Sequence, residues 1–154
     1  MRMSGDTCLV TGAMGCLGSW VIRLLLEDGC QVVAFDISED DRRHQLVIGP
    51  EDRKQIKYVK GDLTDSDQVM SAAEGVSRII HLGALQVPFC RADRPMGAAV
   101  NVVGTVNVFE AALRHSIEHL VYASSVAVFG NAEDYELSTI GPEERRLPTT
   151  LYGI

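Results

Sequence analysis

Thr11-Gly12-Ala13-Met14-Gly15-Cys16-Leu17-Gly18 is the stretch on which the reading of this 154-residue chain turns. Residues 7–11 before it form a short apolar run with strand character. Residues 15–28 after it carry helical spacing, with Leu17, Val21, Leu24 and Leu25 expected on one face. A strand, a glycine-rich turn and a helix in that order make a phosphate-binding device. Gly12 lets the chain turn sharply off the strand. Gly15 lets backbone N–H groups approach a pyrophosphate, and Gly18 lets the helix pack close to the sheet. The helix N-terminus then offers unpaired N–H groups and a positive dipole end to an anion. The same pattern serves a plain tight turn; the strand–loop–helix context favours the dinucleotide.

Working outward, residues 31–36 read as a second strand ending in Asp36. Residues 37–54 are polar and acidic, a loop with a short helix. Strands are expected at 56–60, 77–82 and 120–124, and helices at 65–73 and 95–115. The last helix is rich in Val, Ala, Phe and Leu on more than one face, so it should be covered on two sides. Residues 131–148 are polar and turn-like. Strands alternating with helices over short connections predict a doubly wound α/β fold: a three-layer parallel Rossmann sheet, in one dinucleotide-binding domain over 1–154.

Asp36 stands where a carboxylate would hydrogen-bond the ribose hydroxyls of an adenosine. A 2′-phosphate would meet Asp36 together with Glu39, Asp40 and Asp41, and like charges repel. NADP would require Arg42 or Arg43 to swing in, so NAD is the expected cofactor.

Composition bounds the remaining options. A formal net charge of −7 and no basic cluster argue against a nucleic-acid partner. Cys8, Cys16, Cys30 and Cys90 form no C-x-x-C pair and have no histidine at metal-ligand spacing, so no metal is expected. Free thiols suit a reducing compartment. The N-terminal residues carry no export-signal pattern. No run approaches the ~20 uninterrupted apolar residues of a membrane span, so a cytoplasmic chain without a membrane partner is expected.

Further motifs follow the glycine loop and Asp36 in order. They are Gly61-Asp62-Leu63, His81-Leu82-Gly83-Ala84, Asn101 with Gly104-Thr105, Ser124-Ser125-Val126-Ala127-Val128-Phe129-Gly130 and Pro148-Thr149-Thr150-Leu151-Tyr152-Gly153. With them the chain resembles the extended short-chain dehydrogenase/reductase family, the nucleotide-sugar epimerases and dehydratases, from Thr7 to the end. The resemblance implies an NAD-dependent oxidoreductase acting on a hydroxyl-bearing small molecule, a sugar nucleotide in most of the family. It gives cofactor contacts to Gly12, Met14, Gly15, Cys16, Leu17, Gly18, Asp36, Asp62, Leu63, Leu82, Gly83, Ala84, Asn101 and Ser124. Asp62 and Leu63 resemble the pair at the adenine, and Asn101 the asparagine that organises the site. His81 is expected to be a buried, hydrogen-bonded side chain in a segment used through its backbone. Gly83 replaces the family's commoner alanine.

The resemblance makes Ser125 and Tyr152 the catalytic pair, Tyr152 opening the Y-x-x-x-K motif. Removing hydride from a carbinol carbon requires its hydroxyl proton to leave as well. A free tyrosine, with a pKa of ~10, is a poor base at neutral pH. A nearby lysine and a positive nicotinamide would lower that value, and the serine would orient the substrate oxygen. The motif places the lysine at position 156, beyond Ile154. The chain alone is therefore expected to be a truncated, inactive cofactor half. The alternative is a non-catalytic module that binds a dinucleotide or a partner. In the family the helix corresponding to 95–115 packs against the one begun by the tyrosine, so self-association through this helix, as a homodimer, is expected.

Overall fold

A computed structural model describes residues 5–136 and 139–154. The N-terminal reading therefore falls largely outside the described residues, as do two positions of the 131–148 segment. Five parallel strands form one sheet: β1 (Thr7–Thr11), β2 (Gln31–Asp36), β3 (Ile56–Lys60), β4 (Arg78–His81) and β5 (His119–Tyr122). Their spatial order is β3-β2-β1-β4-β5. In register, Val10 lies beside Ala34 on β2 and Ile80 on β4. The order reverses between β1 and β4, and that switch point opens a crevice at the carboxyl ends of the strands.

Alternation of side chains splits the core between the two faces of the sheet. Cys8, Val10, Val32 and Ala34 pack with Ile22 and Leu25 of helix α1 (Cys16–Glu27) and with Ile48. Leu9, Val33, Phe35 and Ile79 pack with Val69 and Ala72 of a second helix and with Val108, Ala111 and Ala112 of a third. The result is the expected three-layer doubly wound sheet.

The helices depart from expectation in four places. On α1 the buried positions are Gly18, Ser19, Ile22 and Leu25, whereas Leu17 and Leu24 are exposed. Gly18 is the point of closest approach, so it decides which face turns inward. Between β2 and β3 lie two short helices, α2 (Arg42–Val47) and α3 (Pro50–Arg53), followed by α4 (Ser66–Ala72) after β3. Asp65 caps α4, its carboxylate accepting from the Asp67 and Gln68 N–H groups. After β4 comes α5 (Val87–Ala92), in a stretch with no clear sequence signal.

The expected helix 95–115 is built of α6 (Arg94–Ala98), a π-helical stretch over Ala99–Val103 and α7 (Gly104–Arg114). The helix Arg94–Arg114 contains an 18-residue window of mean hydropathy 1.4, long and apolar enough by length and composition to cross a bilayer. Counting only uninterrupted runs hides this, because Asn101, Thr105, Asn107 and Glu110 break the sequence. Three of those side chains tie the helix to the domain. Asn101 bonds Leu85, Thr105 bonds His81, and Asn107 donates to the Leu63 carbonyl at 2.8 Å.

Candidate functional site

The switch-point crevice is a cleft of about 440 Å³. The glycine loop forms one end. Gly12 has φ +67°, and a Cβ there would sit 2.7 Å from the Gly83 nitrogen, so this turn and the β4 turn touch only because both lack side chains. A Cβ on Gly18 would strike the carbonyls of Gly12 and Ala13. Gly15 caps α1 with no side-chain hydrogen bond, and the first turn holds no acid. The orphan N–H groups of that turn are thus left for a ligand, and an anion fits there.

Asp36 lies at the rim of this end. Its two oxygens accept from the backbone N–H groups of Met14 (3.0 Å) and Ser38 (2.9 Å). The neighbouring acids are less free than the sequence implied. Glu39 pairs with Lys60 at 2.6 Å, Asp40 with Arg42 at 2.6 Å and Asp41 with Arg53 at 3.6 Å. Hydrogen bonds from Arg42 hold the Asp40 carboxyl down at about 2. Repulsion of a 2′-phosphate therefore falls chiefly on Asp36. Arg42 is engaged by Asp40, and Arg43 reaches the Met14 carbonyl at 3.3 Å.

A chain of side chains crosses the floor. Thr105 donates its hydroxyl proton to the Asn101 carbonyl at 2.7 Å. Its oxygen must then accept from His81 Nε2 at 3.0 Å, which places the imidazole proton on Nε2. His81 Nδ1 accepts from the Thr11 hydroxyl at 2.6 Å, and Thr11 Oγ1 accepts the N–H groups of Leu82 and Gly83, each at 3.2 Å. Every valence is used, and burial pushes the imidazole pKa down to about 4. His81 is thus a buried, hydrogen-bonded side chain and stacks on Tyr122 at 5.5 Å between ring centres. Asn101 clamps Leu85, accepting its N–H at 2.7 Å and donating to its carbonyl at 2.9 Å from within the π-helical stretch.

The opposite end is built by the segment after β5 and by the last residues. Ser125 Oγ accepts the Ala127 N–H at 3.2 Å, starting a single 3₁₀ turn over Val126–Phe129. Its proton remains free to donate. Gly153 packs against the Ala127 carbonyl so closely that a Cβ would collide, which brings Tyr152 beside the Ser125 turn.

Of the residues singled out in the sequence, Gly12, Gly15, Cys16, Leu17, Gly18, Asp36, Leu82, Gly83, Ala84, Asn101, Ser124, Ser125 and Tyr152 share this cleft. Met14, Asp62 and Leu63 do not line it. Met14 faces a neighbouring hollow with Ser38, Glu39, Tyr58 and Lys60. Asp62 turns its carboxylate onto the Thr64 N–H and hydroxyl, and Leu63 is buried in the core. The cleft also contains Gln86, Thr105, Tyr122, Ala123 and Val128, to which no role was given. Thr105 belongs to the Gly104-Thr105 motif. Tyr122 and Gln86 carry no local signal, because β5 and the β4 turn meet only in the fold.

The model of the 3-beta hydroxysteroid dehydrogenase/isomerase family matches residues 9–152. A UDP-glucose 4-epimerase from Mycolicibacterium smegmatis is 37% identical, over 84% of this chain and 42% of its own length. The type 7 3 beta-hydroxysteroid dehydrogenase of Mus musculus is 34% identical, over 79% of this chain and 33% of its own. Among solved structures, a short-chain dehydrogenase/reductase superfamily protein from Agrobacterium tumefaciens with bound NAD superposes with a TM-score of 0.79. It is 30% identical, and the match covers 96% of this chain and 41% of that one. The chain thus spans about a third to two fifths of the curated relatives it matches.

Proposed function

Because the chain belongs to the 3-beta hydroxysteroid dehydrogenase/isomerase family, we propose that it is the NAD-binding part of an oxidoreductase of epimerase, dehydratase or dehydrogenase type acting on a secondary alcohol. One observation carries the reading: the uncapped start of α1 and the Asp36 carboxylate open onto the same cleft as Ser125 and Tyr152. NAD, when bound, supplies the hydride acceptor. The first turn of α1 would hold its pyrophosphate and Asp36 its adenosine ribose. Ser125, its oxygen already accepting from Ala127, would donate its proton to the substrate oxygen and fix its direction. Tyr152 would take the substrate's hydroxyl proton.

A sugar nucleotide is the first choice of substrate, supported by the epimerase relative at 37% identity. A sterol alcohol is the second, supported by the mouse relative and by the matched family. A cytoplasmic setting suits Cys8, Cys16, Cys30 and Cys90, none of which is in a disulfide.

Calorimetric titration tests the cofactor. NAD should bind more tightly than NADP, and Asp36→Ala should narrow that preference by about 1–2 kcal/mol, the size of a charge-assisted hydrogen bond. Equal or tighter binding of NADP by the native chain would sink the assignment. In a form that turns over, Tyr152→Phe should cost ~10²–10⁴-fold in rate while leaving NAD affinity in place. Products separate the two substrate classes: an isomerised or dehydrated UDP-sugar with no net NADH in one case, or a 3-ketosteroid with NADH in the other.

The reading includes self-association. Val102, Val103, Val106, Phe109 and Leu113 are exposed along one side of α7 and the π-helical stretch, with Leu113 at 74%. A contiguous apolar face of this kind is uncommon on a monomer. At ~25 cal/mol per Å² its burial would drive association, reduced by the cost of immobilising the partners. Light scattering should report a dimer that Phe109→Glu dissociates. A monomer at micromolar concentration would refute this part.

A further inference from the structure

The Ala13–Met14 peptide of the glycine loop is held by a residue to which no motif points. His44, on α2, is fully buried. Its Nε2 lies 2.8 Å from the Ala13 carbonyl oxygen, and its Nδ1 lies 3.1 Å from the Tyr58 hydroxyl on β3. A carbonyl only accepts, so Nε2 carries the proton and Nδ1 accepts from the phenol. The other polar end of the same peptide, the Met14 N–H, donates to Asp36 Oδ2 at 3.0 Å. One rigid plane therefore joins a buried imidazole to the carboxylate at the rim of the cleft.

We propose that His44 is a positioning residue for Asp36, acting through the Ala13–Met14 peptide. The inference rests on the reading of Asp36 as the ribose ligand. Ala13 is wholly buried, so without the imidazole its carbonyl would lack a partner in the interior. The peptide relieves that cost by turning, and the turn carries the Met14 N–H away from Asp36. The carboxylate then keeps only its bond from Ser38 and loses its fixed direction. The Tyr58 hydroxyl acts one step further back, by holding the histidine in the tautomer whose proton is on Nε2.

The test compares His44→Asn, too short to reach Ala13, with His44→Gln, whose amide can place a donor near the Nε2 position. Melting temperatures check that each folds. By calorimetry, His44→Asn should weaken NAD binding about tenfold and His44→Gln less than about threefold. In an Asp36→Ala background, His44→Asn should add almost nothing. A full tenfold loss in that background would show a general structural effect and overturn the proposal. So would undiminished NAD binding in a folded His44→Asn chain. A second readout needs no cofactor. The Met14 amide should exchange with solvent at least about tenfold faster in His44→Asn and near the native rate in His44→Gln. An unchanged Met14 rate in His44→Asn overturns the proposal even if the native chain binds no NAD, a result that would itself sink only the ribose reading. Nitrogen-15 shifts of the His44 ring with the proton on Nδ1 would also overturn it.

Discussion

The two ends of the cleft are built on different principles. At the glycine-loop end nearly every backbone group from Thr11 to Gly15 has an assigned partner. Ala13 N–H reaches the Phe35 carbonyl, Met14 N–H reaches Asp36, and Gly15 N–H returns to the Gly12 carbonyl. At the Ser125–Tyr152 end the bonds are short-range: Ser125 to Ala127, and Gly153 to Thr150. The first end is fixed by neighbouring strands, and the second by contacts between two loops. The contrast teaches that nucleotide binding resides in a rigid scaffold, whereas the proposed chemistry depends on how a late segment docks on it.

The sharpest way to break that contrast is Gly18→Val. Its side chain must displace the Gly12 and Ala13 carbonyls, which are backbone and cannot swing aside. NAD affinity should fall by about 100-fold or more, near 2.7 kcal/mol. Gly153→Ala, which collides at the other end with the Ala127 carbonyl, should leave NAD affinity within about threefold, because it disturbs only the docked segment. Comparable losses from both would mean that the two ends act as one unit.

His81 lies between the ends and gives a pH signature. Its folded pKa is depressed from 6.5 to about 4 by burial. The unfolded chain therefore binds more protons between those values, and stability rises with pH there. The contribution is fully present above about pH 6.5 and is lost as pH falls through about 4, a span of roughly 3 kcal/mol at most. A protonated ring would offer a second N–H to Thr11, whose oxygen already accepts two. Melting temperature of the native chain should drop more steeply than that of His81→Gln between pH 6.5 and 4. Parallel curves would contradict the assignment.

A smaller effect concerns the thiols. Cys16 is the exposed cysteine and lines the loop end of the cleft, whereas Cys8, Cys30 and Cys90 are buried. Burial, and then the adjacent Cys30, pushes the Cys8 thiol up to about 12. Iodoacetamide should label Cys16 first, and saturating NAD should slow that labelling several-fold. Labelling unaffected by NAD would place the cofactor elsewhere.

Much of this was legible from residues close together in the chain. The inner strands β1 and β2 appear as apolar runs because they are buried on both faces of the sheet, whereas the edge strands β3 and β5 are largely exposed. The loop Thr11–Gly18 and Asp36 are legible because each glycine meets a backbone constraint within a few residues. Asp62 and Leu63 lie outside the main cleft, the first bonded to Thr64 and the second packed in the core. Leucine spacing predicts a different face of α1 from the one that is buried, because Gly18, not a leucine, sets the approach to the sheet.

What the sequence determined by itself is the succession of the five strands, the strand–loop–helix around Thr11–Gly18 and the place of Asp36 at the end of β2, since short-range sterics and alternation are written in adjacent residues. The tertiary structure alone decided the pairing of Glu39, Asp40 and Asp41 with their cations, the tautomers of His44 and His81, the π-helical stretch around Asn101 and the entry of Tyr122 into the cleft. Apart from Asp40 and Arg42, which are neighbours in the chain, these depend on groups well separated in sequence, from 70 residues between Thr11 and His81 to 14 between His44 and Tyr58 and 12 between Asp41 and Arg53. Only closing the sheet brings such partners within hydrogen-bond range.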